Sequence, residues 1–322
     1  MSALWGRRTV RRLTFALAPL LLIGVGLAIV LATRFAAEAA PVREATAEAR
    51  ATVVRAGLGA DGREVELRWT DPARQQRLSR VRVPEGARVD TGVEVALRYV
   101  PGDPSRVYVG GDETTVRLRD LAFGIFAVTI VFVVATLISV VHVVRRLVAE
   151  RRPAGTLPVT YARSKRGLRQ RAWLVVDDHG REWWVPVHWT PELPALLAKA
   201  PAALPGRPAA DRVLVVDVAG TTVWQAGRKR PIAPAGEIVR STTAWSKSAE
   251  RRAAAAAEAD PPPPAGLVRQ FRADASLIVI APFFGLLWAY LDGSGAAGFA
   301  AGSVLSACVL LWLPAVYGSD PT

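Results

Sequence analysis

The chain has 322 residues, a formal net charge of +13 and an apolar fraction of 51%. The charge is almost wholly arginine, since Lys occurs only at 165, 199, 229 and 247. Such a balance points to nucleic acid or an anionic membrane surface, and the single Cys308 excludes a disulfide framework and a thiolate metal site. Few Lys beside much Ala, Arg, Gly and Pro suggests a GC-rich genome. The apolar residues are bunched into long runs, so the membrane is the partner that needs fewer assumptions. Cys308 sits inside such a run and reads as a small packing residue.

Residues 1–12 carry Arg7, Arg8, Arg11 and Arg12, and 13–32 follow as an uncharged run of spanning length. A basic front before an apolar run also describes a secretory signal, and Ala37-Glu38-Ala39 offers a cleavage site. Signal h-regions are about 7–15 residues, shorter than this run, which favours an uncleaved anchor. Residues 33–120 then form an extracytoplasmic module. Good helix formers over Pro41 to Ala51 predict a short helix. Beyond it the period becomes two. Glu64 to Trp69, Arg80 to Val83 and Val93 to Tyr99 alternate, and Arg106 starts a further strand. Turn chemistry at Gly57 to Gly62 and Pro101 to Pro104 separates them, which predicts a small antiparallel barrel or sandwich.

The segment closes with Val95-Ala96-Leu97-Arg98-Tyr99-Val100-Pro101-Gly102-Asp103-Pro104-Ser105-Arg106-Val107-Tyr108-Val109. An N-terminal anchor, a short β-module, this strand, Tyr-x-Pro-x-Asp-Pro, strand pattern and a spanning helix resemble the bacterial membrane proteins grouped as the DUF3592 family. The resemblance covers roughly a quarter of the chain. That family has no assigned activity, so the likeness implies architecture and no chemistry.

Residues 121–144 form the second spanning run, without a charge. The flanks orient it. Windows of 20 residues by the positive-inside rule hold 11 Arg on one side of the proposed spans and six on the other. The N- and C-termini are then cytoplasmic, and 145–245 is a cytoplasmic module. It opens with a basic stretch, Arg163 to Arg171, suited to anionic lipid headgroups. A hairpin follows, Ala172 to Val176 and Glu182 to Trp189 about a turn at Asp177-Asp178-His179-Gly180. Thr190-Pro191-Glu192 predicts the start of a helix running to about Ala200. Arg212 to Val218 and Thr221 to Gln225 predict a second hairpin about Ala219-Gly220. Gly62-Arg63-Glu64 before Trp69-Thr70 and Gly180-Arg181-Glu182 before Trp189-Thr190 hint at duplication, with chance an equal explanation.

Residues 246–266 form an Ala/Pro-rich linker, and 275–291 and 296–317 are two further spanning helices. Gly298, Gly302 and Ser306 fall four apart on one face of the last helix. That spacing suits close helix packing, within the chain or against a homodimeric or other membrane partner.

Candidates for chemistry are few. His142 lies near the end of the second run, His188 alternates along a strand, and His179 sits beside Asp177 and Asp178 in a turn, where a metal or acid–base role is conceivable. No Walker loop, GxSxG, HExxH or CxxC occurs. Trp173, Trp183, Trp184, Trp189 and Trp224 near Arg163 to Arg171 also describe a nucleic-acid surface, although core anchors beside a lipid-facing basic stretch explain them better. The expectation is an α+β integral membrane protein with four transmembrane helices and two small antiparallel β-rich modules. It is expected to be a non-catalytic scaffold or sensor, with no catalytic, cofactor-binding or metal residues assigned. The alternatives are an accessory subunit of a membrane complex and a metal-assisted enzyme using Asp177, Asp178 and His179.

Overall fold

The computed structural model describes residues 7–167, 169–218, 220–243, 246, 250–252, 255 and 267–320, so most of the expected linker 246–266 lies outside the described residues. The chain divides into two units, Gly24–Val131 and a second made of Met1–Ile23 with Phe132–Thr322. Helices α1 (Arg8–Glu44) and α2 (Glu113–Glu150) contribute to both. At 1.5 Å per residue each is roughly 55 Å long, well beyond the hydrocarbon thickness of a bilayer.

The first unit holds one curled antiparallel sheet of five strands in the order β3-β2-β1-β4-β5. The strands are β1 (Ala47–Leu58), β2 (Glu64–Thr70), β3 (Gln76–Arg82), β4 (Glu94–Val100) and β5 (Asp103–Val109). Alternation sorts their side chains. Val65, Leu67 and Trp69 of β2 are buried, with Val53 of β1, Val81 of β3 and Leu97 and Tyr99 of β4. The Trp69 and Tyr99 rings lie 4.7 Å apart, and the Trp69 indole N–H donates to Ser79 Oγ at 3.0 Å.

The helix expected over Pro41 to Ala51 is not there: α1 runs on to Glu44, and Ala47 begins the central strand β1. Ala47, Ala49 and Ala51 pair with β4, and β1 also takes β2 on its other edge. Two flanking strands outweigh the helix propensity of alanine. Asp112 caps α2. Its carboxylate accepts the Thr115 N–H at 2.7 Å and the Val109 N–H at 2.8 Å, while Glu113 in the first turn pairs with Arg63 and Arg82.

The second unit is built on a seven-stranded sheet. Its path is β11-β10-β9-β6-β7-β8, with β12 paired to β6. The strands are β6 (Ala154–Arg166), β7 (Arg169–Asp178), β8 (Arg181–Val187), β9 (Ala200–Pro205), β10 (Val215–Val218), β11 (Thr221–Trp224) and β12 (Glu237–Arg240). The sheet curls until its ends meet. His188 N–H donates to Trp224 O at 2.9 Å, Ala226 N–H to Pro186 O at 2.7 Å, and Trp184 and Arg230 exchange both backbone bonds. The interior is filled by Val159, Leu174, Val185, Leu204, Leu214, Val216 and their neighbours.

Strands β6, β9 and β12 carry no sequence expectation of their own. Pro158 of β6 and Pro201 of β9 stand opposite one another, so both missing donors fall at one step of the ladder. The helix expected from Thr190 to about Ala200 is a single 3-10 turn, Leu193–Ala195. Pro194 within that turn cannot donate, and the chain turns at Lys199, which holds a positive φ, straight into β9.

Helix α3 (Leu267–Asp274) leads through a 3-10 stretch, Ala275–Ile280, into α4 (Ala281–Asp292), and α5 (Gly295–Tyr317) follows. Pro282 stands at the first turn of α4, which accounts for the break before it. A Cβ on Gly285 of α4 would come within 2.0 Å of Ser303 Oγ, and one on Gly302 of α5 within 3.2 Å of Gly285 Cα. The two glycines let the backbones of α4 and α5 approach closely. Among the described residues four helices are thus long and apolar enough to cross a membrane: α1, α2, the Gln270–Leu291 stretch and α5.

Candidate functional site

The turn Asp177-Asp178-His179-Gly180 joins β7 to β8. Asp177 accepts the Gly180 N–H at 2.9 Å, and the His179 side chain is 92% exposed, 4.0 Å from Asp178. No group of three or more His, Cys, Asp or Glu is placed to share a metal ion among the described residues. The five tryptophans are buried. Trp173 and Trp184 meet edge to face at 6.3 Å beneath Ile238 of β12, and Trp183 and Trp189 line the barrel interior. Trp224 packs with Ala149 and Val215 where α1 and α2 lie on the barrel.

The concentration of buried polar groups lies elsewhere, in the second unit, where helix ends meet the barrel. Ala135, Ser139, His142, Arg146 and Ala149 recur at helical spacing on α2, and all are buried. His142 Nε2 lies 2.9 Å from His188 Nε2. Arg146 donates from Nε to Gln225 O and from Nη1 to His142 O, both at 2.7 Å. Gln225 is held in turn, its Oε1 accepting the Leu214 N–H at 2.7 Å. The Trp312 indole of α5 donates to Ser139 Oγ at 2.9 Å.

A second cluster joins the two ends of the chain. Arg12 Nη2 donates to Asp274 Oδ2 at 2.6 Å, both side chains being 2% exposed, and Ser319 bridges the pair. Tyr161 OH donates to Asp320 Oδ2 at 2.6 Å, and Arg171 Nη2 to Tyr317 O at 2.8 Å. A Cβ on Gly318 would fall 2.6 Å from Ala226 Cβ, so the turn after α5 is pressed against the barrel.

Burial pushes the His188 imidazole well below its ordinary value of 6.5, and the nearby His142, Arg146, Arg12 and Arg171 push it the same way. The ring is therefore neutral at physiological pH. Its Nδ1 is buried with no hydrogen-bond partner among the described residues. A buried lone pair is more readily left unpaired than a buried N–H. The proton accordingly belongs on His188 Nε2, donated to His142 Nε2. The arrangement fixes α2 to the barrel through neutral and charged hydrogen bonds.

Sequence reasoning placed His142 and His188 in separate elements and gave neither Arg12 nor Asp274 a partner. The signal on α2 was present in the spacing of Ser139, His142 and Arg146. The Arg12–Asp274 pair, 262 residues apart, left none. Gly298 and Gly302 are buried and Ser306 is half-buried, with Gly302 facing Gly285 and Trp288 of α4. No family model, curated protein or solved structure matches the chain.

Proposed function

We propose that this is a multi-pass protein of a bacterial plasma membrane, with both termini cytoplasmic, that couples an extracytoplasmic β-module to a cytoplasmic β-barrel without catalysis of its own. The observation that carries this reading is α2. It is one unbroken helix of 38 residues, capped by Asp112 at one end and bonded through His142 and Arg146 to the barrel at the other. Only three residues separate its last turn from β6. A helix tied at both ends transmits displacement, where a flexible linker would absorb it.

The membrane reading draws on the exposed side chains. Leu22, Phe126, Leu137, Phe283 and Leu286 are each at least 59% exposed. Apolar surface of that extent is unusual on a protein surrounded by water and ordinary in lipid. The arginine asymmetry supports the orientation, and Arg12 and Ser319 lie in the same unit as the barrel, in keeping with both termini on one side. The basic stretch Arg163 to Arg171 then faces anionic headgroups. The likeness to the DUF3592 family rests on the Tyr-x-Pro-x-Asp-Pro pattern and supports the layout alone.

Two measurements test the proposal. In intact cells an impermeant thiol reagent should label Arg74→Cys in the outer hairpin and leave Arg207→Cys in the barrel untouched. Labelling of both, or of neither, would overturn the topology. For coupling, Trp69→Ala should raise amide exchange at the barrel end of α2 and at Gln225. An unchanged barrel beside a loosened outer sheet would refute it.

A further inference from the structure

The seven-stranded sheet closes on itself. The five-stranded sheet stops at two edges, β3 and β5, and among the described residues no backbone bond joins them. A sheet edge carries a row of backbone donors and acceptors able to pair with another chain. The phase of β3 follows from its last bond. Val83 N–H donates to Arg63 O at 2.8 Å, so Val81, Ser79 and Arg77 also turn their backbone groups to β2. The N–H and C=O of Leu78, Arg80 and Arg82 therefore point away from the sheet. Among the described residues no other group bonds to them.

The β5 edge is guarded by its own chain. Val109 N–H donates to the Asp112 carboxylate at 2.8 Å, and Val109 O accepts the Asp112 N–H at 3.0 Å. Ser105 N–H donates to Asp103 at 3.2 Å, and Pro104 has no N–H. Beside the open β3 edge lies a cleft of about 630 Å³, a volume in the range of ligand pockets. Arg80 and Arg82 of β3, Val107 and Tyr108 of β5, Glu38 of α1 and Arg117 of α2 line it. Arg80 is placed to receive an acid. Its side chain is 63% exposed and makes no hydrogen bond among the described residues, and the carboxylates of Glu66 and Glu64 stand 3.5 and 3.9 Å away. Leu78, 65% exposed, lies two residues along on the same face.

We propose that this edge binds an extended peptide segment, added antiparallel to β3 as a further strand, with an acidic residue opposite Arg80 and an apolar one opposite Leu78. Main-chain bonds at Leu78, Arg80 and Arg82 supply the affinity, and the side chains of alternate peptide residues supply the selectivity. Charged residues on an edge deter pairing with apolar strands. Here the arginine selects an acidic one, since opposite charges on facing residues attract. The site stands on the five-stranded sheet alone. It gives the coupling proposed above an input and does not depend on it.

The full chain in detergent, titrated with acetyl-Val-Thr-Glu-Thr-Val-amide and followed by residue-resolved amide exchange, tests the site. Saturating peptide should slow the Leu78, Arg80 and Arg82 amides about tenfold or more and leave Ser79 and Val81, already bonded to β2, nearly unchanged. Methylating the Glu nitrogen, which faces β3, should abolish that protection. Methylating the two Thr nitrogens, which face away, should not. A peptide with Lys for Glu should bind about fivefold more weakly. On the protein, Arg80→Pro deletes one edge donor and no ladder bond, so it should lose the peptide at a nearly unchanged melting temperature. The methylated peptides read the same bond on the unaltered chain. No slowing at Arg80, or equal protection by both methylated peptides, overturns the proposal. Arg80 protection that is present without peptide and falls on dilution assigns the edge to a second copy of this chain and overturns it too. Protection at Arg80 with no change at Gln225 upholds the site and counts against the coupling.

Discussion

The two β-modules solve the same packing problem with opposite exposure. In the five-stranded sheet one face is wet. Strand β2 alternates strictly, Val65, Leu67 and Trp69 inward and the intervening residues outward, and the outer face carries pairs such as Arg98–Glu48 and Arg80–Glu64. In the seven-stranded barrel, β8 is buried from Trp183 to Val187 without a break. One face of it looks into the core, and the other lies under β12 or against the 224–230 segment. A strand with one wet face writes its register into the sequence as alternation. A strand covered on both sides loses that mark, because neither face has to be polar.

The largest test of the contrast compares tryptophans. Trp69→Ala and Trp173→Ala each remove a side chain that is 2% exposed, and each should cost about 3–5 kcal/mol. In the small five-stranded sheet that is most of the stability available, so Trp69→Ala should expose its strands to proteolysis under native conditions. Trp173→Ala should lower the barrel's melting temperature and leave it folded. The reverse outcome would mean that the five-stranded sheet is the sturdier module.

Asp274→Ala should be of similar size. It leaves Arg12 charged and buried with no carboxylate, at a cost of about 3–5 kcal/mol, whereas Arg98→Ala on the five-stranded sheet should cost less than about 1 kcal/mol. Arg12→Met combined with Asp274→Leu should recover most of the loss, measured by denaturant unfolding in detergent. If Asp274→Ala is as mild as Arg98→Ala, the buried pair does not hold the ends of the chain together.

The modules should also respond to acid in different windows. His188 has a folded-state value depressed well below 6.5, so its contribution is fully present above about pH 6.5 and is lost as pH falls from there towards the folded value. The loss runs at about 1.4 kcal/mol per pH unit for one proton. His188→Phe should flatten that slope between pH 6.5 and 5. In the five-stranded sheet the Gln75 N–H, with Arg77 beside it, holds the Asp71 carboxyl below its usual 3.8. Its contribution is present above that value and lost only as pH falls through the lower folded one. Unfolding of both modules in one step near pH 6 would contradict this separation.

The smallest expected effect is at the cap. Asp112→Ala removes the acceptor for Thr115 N–H and Val109 N–H and should cost about 1 kcal/mol. Amide exchange should rise in the first turn of α2 and, more weakly, at its barrel end, as the proposed coupling requires.

Much of this architecture was legible because it is local. A spanning run needs only consecutive apolar residues, and four helices of that kind are present. The β7–β8 and β10–β11 hairpins were legible because turn residues stand between short apolar strands. Strand β9 was hidden because Ala200-Pro201-Ala202-Ala203-Leu204-Pro205 has no strand signal of its own and is held by β6 and β10 on either side. Strand β1 was hidden for the same reason, its alanines reading as helix until β2 and β4 flank them.

By itself the sequence determined which stretches are long and apolar enough to cross a membrane and where chains of alternating residues fold back. These depend on neighbours within a few positions. The tertiary structure alone decided that the barrel closes through His188 and Trp224, that His142 meets His188, and that Arg12 finds Asp274. Those contacts join residues far apart in the chain, and their energy comes from excluding water from charged and polar groups. That exclusion exists only once the whole set has assembled.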